Sequence, residues 1–549
     1  MSKFKSVSLV ILFSSLTSLI TKGDETHCGS TQCEVNMAEL VDEKGFSLFS
    51  FLKSKTPFQQ ALEASAHATL DVLCFYKKIE NEPVWFTQNG LTKQGEIAKD
   101  VLQNADLEGL NPIDYEDAAL IPNSPEDWME ADILFTKRFL EFMTHLRTGR
   151  IDPMKISSDI KFHSPKTHVV DMLVAAVQDK KSGGNKLRLM APNLPQYAEL
   201  KRILKDYREH AANTNGELKL TTLKILKLGE SDPEVVNLRQ ILVQHQDLSK
   251  ELEEGEKFDV AVDKALRAFQ KRYSLEPDGV IGNKTKEVLN YSLQDGIKQG
   301  IVKMEGLRGL RDDLGDKHII VNVAGYVLHG FEKSVATLMM PIIVGRPDRR
   351  TPLFYTNLKN IVLNPSWGVP NSIYLHDKLP RIKKDPAYVR RSNFTITDHK
   401  GEIIDPDAAD WENEGKNYYL RQSPGSHNAL GRIKFNIENP YVIYMHGTPE
   451  QHLFAKKSRA LSSGCIRLKY PLKLALWVLN NESLWPCNTL ETIINKGETQ
   501  TIKPAEYIPV YFTYQTIWVK ENEHGKRIFH SNDPYRLDAK MTKMLHIAD

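Results

Sequence analysis

"SSGCIRL", residues 462–468, places a cysteine directly after a glycine, late in a chain of 549 residues. The segment "YVIYMHGTP", residues 441–449, precedes it and carries a histidine at the end of an apolar run. A thiol becomes a strong nucleophile when a neighbouring imidazole accepts its proton. Cys465 and His446 are therefore a candidate nucleophile and base. The residue types alone still leave open a buried structural cysteine, half of a disulfide or a metal ligand.

The residues next to Cys465 and His446 suit acyl transfer. Gly464 leaves no side chain beside the thiol, and backbone N–H groups of such a turn can point at a developing oxyanion. Arg467 offers a rigid fork of donors to a substrate carboxylate. Tyr444 lies two residues before His446, so we expect both side chains on the same face of a strand.

Composition narrows the class of protein. The chain has 72 basic and 70 acidic residues and a formal net charge of +2, which gives no electrostatic footprint for nucleic acid. At about 100–200 residues per domain, its length predicts roughly three domains. We therefore expect a globular multidomain protein that does not bind nucleic acid.

The N-terminus predicts export. Lys3 and Lys5 precede a short apolar run, "VSLVILFSSLTSLI" at residues 7–20, which is typical of a secretory signal. Residues 1–23 are predicted to be a signal peptide or an uncleaved membrane anchor. The five cysteines leave at least one thiol outside an intramolecular disulfide, and the oxidation state of four of them stays open: Cys28, Cys33, Cys74 and Cys487.

The pattern along the chain changes twice. Helical periodicity predicts a mostly helical scaffold over residues 38–230. Short helices joined by Gly-containing turns follow over 231–292. Runs rich in branched residues then predict a β-dominated domain over 301–505, interrupted by a polar insertion at 373–417 that we expect to cap the site. The last segment, 506–549, is expected to pack on the scaffold or on the β-domain.

The segment 231–292 resembles the peptidoglycan-binding type 1 domain. That family has an "L..L" helix, then "A...FQ", then "DG..G..T...L". The matching residues here are Leu238, Leu242, Ala265, Phe269, Gln270, Asp278, Gly279, Gly282, Thr285 and Leu289. The resemblance implies binding to cell-wall glycopeptide. Because these positions are mostly core and turn residues, a structural insert without a binding groove stays open.

The segment "HGTP" followed by "RALSSGCIRL" resembles the catalytic motif of L,D-transpeptidases of the YkuD family. The common form of the motif has a second histidine at the position of Ser463. The serine found here matches the large, YcbB-like subgroup of Gram-negative bacteria, as do "PIIVGRPDRRTPLF", "LNPSWGVPNSI" and "RQSPGSHNALGRIKF". The resemblance covers nearly the whole chain, from about residue 60 to residue 535, and includes the segment "PVYFTYQTIWV" near the C-terminus.

The resemblance implies an α+β multidomain fold and a set of site residues. Cys465 is expected to be the acylated nucleophile and His446 the general base, with the Gly447 carbonyl fixing the imidazole tautomer. Residues expected to bind substrate are Arg467, Tyr444, Trp367, Ser463, Gly464 and Asn428. For Tyr444 and Trp367 a role as core aromatics stays open. The family implies no metal and no organic cofactor.

The implied reaction is peptidoglycan L,D-transpeptidation in the periplasm. It forms 3→3 cross-links between stem peptides, releases D-alanine and makes the enzyme a carbapenem target. The same acyl-enzyme would also serve an L,D-carboxypeptidase or a ligase that joins proteins to the wall. A non-catalytic wall-binding scaffold is a further alternative. Expected partners are peptidoglycan, the membrane if the N-terminal segment is an anchor, and other cell-wall synthesis proteins.

Overall fold

The computed structural model describes residues 55–116, 127–164, 167–182, 184–212, 218–221, 224–480, 485, 487–522, 525–531 and 533–547. The predicted signal or anchor (1–23), Cys28 and Cys33 lie outside these residues. The chain separates into two compact units. The first comprises the described residues within Met1–Glu96, Ala118–Leu140 and Lys166–Gly184, and the second comprises the others. Among the described helices, none has the length and apolar character that crossing a bilayer requires.

The N-terminal region is helical, as predicted. Its helices are α1 (Pro57–Ala64), α2 (Leu70–Lys78), α3 (Lys93–Gln103), α4 (Trp128–Thr148), α5 (Pro153–Ile156), α6 (Val169–Gln178) and α7 (Pro195–Ala212). One short hairpin, β1 (Phe86–Thr87) with β2 (Gly90–Leu91), interrupts them.

A buried carboxyl organises the first unit. Asp132 on α4 accepts hydrogen bonds from the backbone N–H groups of Trp85 (2.6 Å) and Phe86 (2.8 Å) and from the Tyr76 hydroxyl (2.5 Å). Burial raises the pKa of this carboxyl to about 6. The side chain of Asp132 thus joins α2, α4 and the segment that leads into β1.

The peptidoglycan-binding-like segment forms its own core. It consists of α8 (Glu234–Gln244), α9 (Val260–Arg272) and α10 (Asn283–Leu289), and α11 (Leu293–Arg308) follows. The motif residues Leu238, Phe269 and Leu289 are buried in one apolar cluster. The fully buried amide of Gln270 accepts the Gly279 N–H (2.9 Å), so the "FQ" and "DG" signatures hold the same turn.

The remaining strands lie in the β-domain, in its insertion and in a separate C-terminal hairpin of β17 and β18. These are β3 (Lys317–Asn322), β4 (Val327–Glu332), β5 (Val335–Gly345), β6 (Tyr355–Leu363), β7 (Trp367–Gly368), β8 (Phe394–Thr397), β9 (Ile403–Ile404), β10 (Tyr419–Gln422), β11 (Ile433–Ile437), β12 (Tyr444–His446), β13 (Ala460–Ser462), β14 (Ile466–Leu468), β15 (Gln500–Ile502), β16 (Pro509–Thr513), β17 (Ile517–Asn522) and β18 (Gly525–His530).

Eight of these strands pair in a closed ring. The order is β6, β11, β12, β14, β5, β4, β3, β16 and back to β6. The pairs β12–β14 and β3–β16 are parallel and the others are antiparallel. The apolar residues of these strands form one large core cluster. Because β16 is a strand of the ring itself, the β-domain continues beyond residue 505, the end predicted from the sequence.

The insertion forms a small subdomain, which we call the lid. Its four-stranded sheet has the order β7, β10, β8, β9, and its helices are α12 (Asn371–Ile373), α13 (Leu379–Lys384) and α14 (Tyr388–Arg391). Residues of these elements share a separate apolar core. The sheet begins at Trp367 and ends at Gln422, so the lid is wider than the predicted segment 373–417.

The C-terminal part packs in two places. Its helices are α15 (Pro471–Leu479), α16 (Cys487–Lys496) and α17 (Leu537–Met544). Leu537 and Met541 on α17 belong to the core of the ring. His530 at the end of β18 stacks on Tyr273 with ring centroids 4.2 Å apart, next to α9. The segment 506–549 therefore packs on the helical 231–292 module as well as on the β-domain, which sequence reasoning did not expect.

Candidate active site

Three neighbouring strands of the ring carry the residues of the site. Strand β12 lies between β11 and β14, and its register sets His446 beside Lys434 on one side and beside Arg467 on the other. Cys465 immediately precedes β14. The parallel pairing of β12 with β14 thus places His446 and the Cys465 turn on neighbouring strands.

The imidazole of His446 is buried and held in one tautomer. Its Nδ1 lies 2.5 Å from the Gly447 carbonyl oxygen, which can only accept, so Nδ1 carries the proton and Nε2 is left as the acceptor. Burial lowers the pKa of His446 to about 3, and the positive charge of Arg467 adds to the effect. His446 is therefore a neutral base at neutral pH.

Gly447 lies where a side chain would be tightly packed. Its N–H donates to the Ile433 carbonyl (2.9 Å), and a Cβ atom there would lie 3.2 Å from Pro471 Cγ. Gly431 crosses directly over it in the left-handed region with φ +64°. The carbonyl that orients the imidazole is thus fixed by close backbone packing.

The thiol of Cys465 is free, and its pKa is raised by burial. Hydrogen bonds from the backbone and hydroxyl of Tyr444 and the charges of Lys434 and Arg467 act in the opposite direction. The sulfur lies 3.8 Å from the carbonyl oxygen of Val442. At neutral pH the site therefore rests as a neutral thiol and a neutral imidazole, rather than as a preformed ion pair.

The turn that carries the thiol is braced from inside. The buried hydroxyl of Ser462 donates to the Cys465 carbonyl (2.7 Å) and accepts the Gly464 N–H (3.1 Å). Gly464 has φ +120°, a conformation that L side chains rarely adopt. Its carbonyl accepts the hydroxyl of Thr351, which is fully buried, at 2.6 Å. The glycine of "SGC" is thus required by the backbone conformation of the turn.

Tyr535, in the C-terminal segment, extends this hydrogen-bond network, which we call the brace. The Tyr535 hydroxyl donates to the Gly345 carbonyl (2.6 Å) and accepts the Thr351 N–H (3.0 Å). The Gly345 N–H in turn donates to the Thr351 hydroxyl (2.9 Å). These bonds tie the Cys465 turn to strand β5 and to the residue that precedes α17 by two positions.

The loop before Tyr444 carries local strain. Val442 is a β-branched residue with φ +59°, in the left-handed region that such residues avoid. The Asn439 side chain accepts the N–H groups of Tyr441 (3.0 Å) and Ile443 (3.0 Å) and so holds the loop in this shape. The strain fixes the Val442 carbonyl beside the sulfur.

Two further predicted residues lie at the mouth of the site. Arg467 is half-buried and forms an ion pair with Glu450 at 2.5 Å. Ser463 lies 3.3 Å from the guanidinium of Arg349, which also binds Asp377 of the lid at 2.5 and 3.1 Å. Ser463, which replaces the second histidine of the common motif, thus links the Cys465 turn to the lid through Arg349.

Three predicted residues have largely internal contacts. Trp367 is a core residue of the lid, and hydrogen bonding joins it to the Tyr444 hydroxyl. Tyr444 packs against the same core. Asn428 is buried, donates to the Pro365 and Ser423 carbonyls (3.0 Å each) and accepts the Leu430 N–H (2.8 Å). These contacts favour a positioning role for Asn428 over the substrate contact predicted from the sequence.

Sequence reasoning missed Lys434 and Thr351. In "IKFNI" the apolar residues alternate with Lys434 and Asn436, so the pattern places a lysine on the face of β11 that is not the core. That signal could have been used once β11 was paired with β12. For Thr351 the sequence gives no signal, because its role depends on how the segment after β5 folds under the Cys465 turn.

Comparison with protein families agrees with this architecture. Residues 316–502 match the L,D-transpeptidase catalytic domain, residues 231–289 match a peptidoglycan binding domain and residues 71–204 match a scaffold domain. Over residues 316–502 the chain is thus similar to the L,D-transpeptidase catalytic domain of the YkuD family. The match confirms the resemblance inferred from the Cys465 motif, and the α+β multidomain fold is confirmed with it.

Proteins similar to this chain include one of Haemophilus influenzae that is named as an L,D-transpeptidase. It is 37% identical over 204 residues, which are 37% of this chain and 41% of that protein's length. Solved L,D-transpeptidases from Xylanimonas cellulosilytica and Stackebrandtia nassauensis share 14% and 11% identity, and each alignment covers 53% of this chain. The two alignments cover 98% and 96% of the solved chains. Their TM-scores of 0.17 and 0.21 are too low to support an argument about this chain.

Proposed function

We propose that the protein is a peptidoglycan L,D-transpeptidase that forms 3→3 cross-links through an acyl-enzyme at Cys465. The observation that carries the proposal is the fixed tautomer of His446 on the strand next to the Cys465 turn. A neutral Nε2 acceptor on the strand next to a neutral thiol fits general-base activation of a nucleophile.

In the first half-reaction, the sulfur attacks the carbonyl carbon of the third residue of a donor tetrapeptide stem. The S–C bond forms while the thiol proton passes to His446 Nε2. The negative charge on the carbonyl oxygen is stabilised by the backbone N–H of Cys465 and other amides of its turn. The C–N bond to D-alanine then breaks, and the departing amine takes the proton from His446.

The second half-reaction reverses these roles. The side-chain amine of the third residue of an acceptor stem loses a proton to His446 and attacks the thioester carbonyl. The C–S bond breaks and the thiol regains its proton. One amide is exchanged for another, so the reaction needs no ATP. The helical 231–292 module supports the proposal, because a second binding site for the wall raises the local concentration of stems.

Water or a protein amine as acceptor would make an L,D-carboxypeptidase or a protein-to-wall ligase. The apolar run at residues 7–20 supports an exported enzyme that acts in the periplasm, where its substrate is made into wall. We also propose that carbapenems acylate Cys465, because they present a strained amide to the same nucleophile.

The test is incubation with a purified disaccharide-tetrapeptide, with the products identified by mass spectrometry. We expect a cross-linked dimer and free D-alanine, and no product from the folded Cys465→Ala variant. Tripeptide without dimer would point to a carboxypeptidase. The proposal would be contradicted if Cys465→Ala converted the disaccharide-tetrapeptide, or if the parent protein did not convert it.

A further inference from the structure

Lys434 lies beside the candidate base, and the reaction above makes no use of it. The register of β11 and β12 sets Lys434 opposite His446 and Asn436 opposite Tyr444. Directly opposed residues of an antiparallel pair project from the same face of the sheet. The Lys434 ammonium lies 4.2 Å from the centroid of the Tyr444 ring. The chain therefore fixes a positive charge on the face of β12 that carries His446 and Tyr444.

Three arginines near the Cys465 turn have carboxylate partners. Arg467 binds Glu450 at 2.5 Å, the Arg349 guanidinium binds Asp377 at 2.5 Å, and Arg350 lies 3.3 Å from Asp159.

Lys434 differs from these arginines in lacking such a partner. Within the described part of the chain, no carboxylate forms an ion pair with its ammonium. The side chain is half-buried, so water compensates its charge only in part. A partly dehydrated cation without a counter-ion favours negative charge in its surroundings.

The electrostatic coupling between Lys434 and the site has a consistent sign. Burial lowers the pKa of Lys434, and negative charge at Cys465 raises it. In return, the ammonium lowers the pKa values of both Cys465 and His446. It thus favours a thiolate and disfavours an imidazolium.

We propose that Lys434 is the electrostatic partner of Cys465, whose ammonium compensates the negative charge that develops on the sulfur as the thiol loses its proton. The inference rests on the proposed function only in taking Cys465 as the reactive group. Lys434 acts through its field and neither gives nor takes a proton. The proton passes from the sulfur to His446, and the cation stabilises the charge left on the sulfur because it lies on the same side of the sheet. Its opposing effect on the imidazolium favours release of that proton to the departing amine.

The test is the pH dependence of alkylation of Cys465 by iodoacetamide in the full chain. The thiolate displaces iodide, so the rate follows the fraction of thiolate. Mass spectrometry of the peptide that contains Cys465 separates its reaction from that of the other four cysteines. The proteins compared are the parent, Lys434→Met, Lys434→Arg and the control Lys473→Met, which removes an exposed lysine 4.9 Å from the Tyr470 ring.

We expect Lys434→Met to raise the midpoint of the alkylation profile by about one pH unit, the size expected for loss of one nearby opposite charge. Lys434→Arg and Lys473→Met should keep the parent midpoint. The imidazole pKa of His446, followed by NMR, should also rise in Lys434→Met, since a repelling cation is lost. A structural role would not move these two pKa values together in this way.

An unchanged midpoint in Lys434→Met would overturn the inference, and so would an equal shift in Lys434→Arg. If Lys434→Met does not fold, Lys434→Gln removes the same charge with a polar side chain and takes its place. The outcome is separate from that of the cross-linking assay. A shifted midpoint without cross-linking would leave this inference standing and remove the transpeptidase, and cross-linking without a shift would do the reverse.

Discussion

The neutral state of the Cys465 and His446 pair determines how the site should respond to pH. The Nδ1 proton of His446 is held by the Gly447 carbonyl, and burial keeps Nε2 unprotonated. A histidine with an ordinary pKa of about 6.5 would lose its function as a base in mild acid. His446 is protected from this by its position inside the sheet.

We predict that the rate of acylation of Cys465 by a carbapenem stays nearly constant between about pH 5 and pH 8. The pKa of His446 is lowered to about 3, so the base stays unprotonated throughout this range. Stopped-flow or mass-spectrometric rates across the range check this. A falling limb centred near the ordinary histidine pKa would contradict it. The same shift implies that folding stability falls as the pH drops from about 6.5 towards 3, because only the unfolded chain takes up the proton.

The sequence predicts those parts of the candidate site whose geometry depends on residues close in the chain. The "HG" and "SGC" motifs identify His446, Gly447, Gly464 and Cys465 because each does its work within a few residues of backbone. Lys434 and Thr351 act across strand pairs and loop packing, which a single sequence does not specify. Asn428 was predicted to contact substrate because of its place in a family segment, whereas its amide is engaged by backbone groups around it.

At the scale of elements, the contact between the lid and the Cys465 turn is the feature with most consequence. Arg349 binds Asp377 of the lid through two hydrogen bonds and reaches Ser463 with the same guanidinium. Arg346 lies 3.5 Å from the same carboxylate. The lid otherwise has a core of its own, so this ion pair is a point where its position is coupled to the turn.

We predict that Asp377→Asn loosens the lid. Hydrogen exchange across 367–422 should become about fivefold faster, which corresponds to about 1 kcal/mol for a partly exposed ion pair. Hydrogen-exchange mass spectrometry measures this, with 231–289 as an internal reference. The matched control is Asp407→Asn, which breaks an exposed pair with Arg390 within the lid. Equal exchange rates in Asp377→Asn and the control would mean that the ion pair does not hold the lid.

The presence of an element with a clear local pattern was easier to predict than the residues at which it begins and ends. The helices of 231–292 follow from periodicity and turn residues, and residues 231–289 match the expected family. The lid was predicted from its length and polarity at 373–417, but its sheet also uses β7 and β10 on either side. Those strands have only two and four residues, too few to give a clear pattern in the sequence, and they pair because the insertion folds back on itself.

For the molecule as a whole, hydrogen bonds join the C-terminal segment to the Cys465 turn. Tyr535 is fully buried, and its hydroxyl is shared between the Gly345 carbonyl and the Thr351 N–H. Thr351 in turn holds Gly464. A residue seventy positions after Cys465 thus determines how firmly the turn is held.

We predict that Tyr535→Phe lowers the free energy of unfolding of the β-domain by about 1 to 3 kcal/mol, the cost of leaving buried backbone groups without a partner. Acylation of Cys465 by a carbapenem should slow, because the Thr351 backbone is no longer fixed under Gly464. Urea unfolding and acylation rates check both effects. Tyr507→Phe removes the same hydroxyl from an exposed tyrosine and should change neither. Full acylation in Tyr535→Phe would show that the brace is not needed.

The fold class could be predicted from the sequence, but the closed ring could not. Branched residues indicate strands β3 to β6 and β12, and they do not reveal which of them are neighbours. They also suggest a strand at "ETIIN", residues 491–495, which lies in helix α16 instead. The ring closes through β16, which pairs in parallel with β3 and antiparallel with β6. The sequence places β16 in a tail, because nothing in its local pattern indicates a partner so far upstream.

Because the ring closes through β16, it can close only after a late part of the chain has been synthesised. Val510 of β16 pairs with Ile319 of β3, so about 190 residues must be synthesised between the two partners. At a ribosomal speed of roughly 5–20 residues per second, that takes about 10 to 40 seconds. Until β16 is made, the nascent chain leaves an edge of β3 unpaired and, once β6 has been synthesised, an edge of β6 as well. Unpaired strand edges can pair with other chains. A truncated product that stops before β16 keeps those edges for its lifetime, so it is a substrate for chaperones and proteases rather than a partial enzyme.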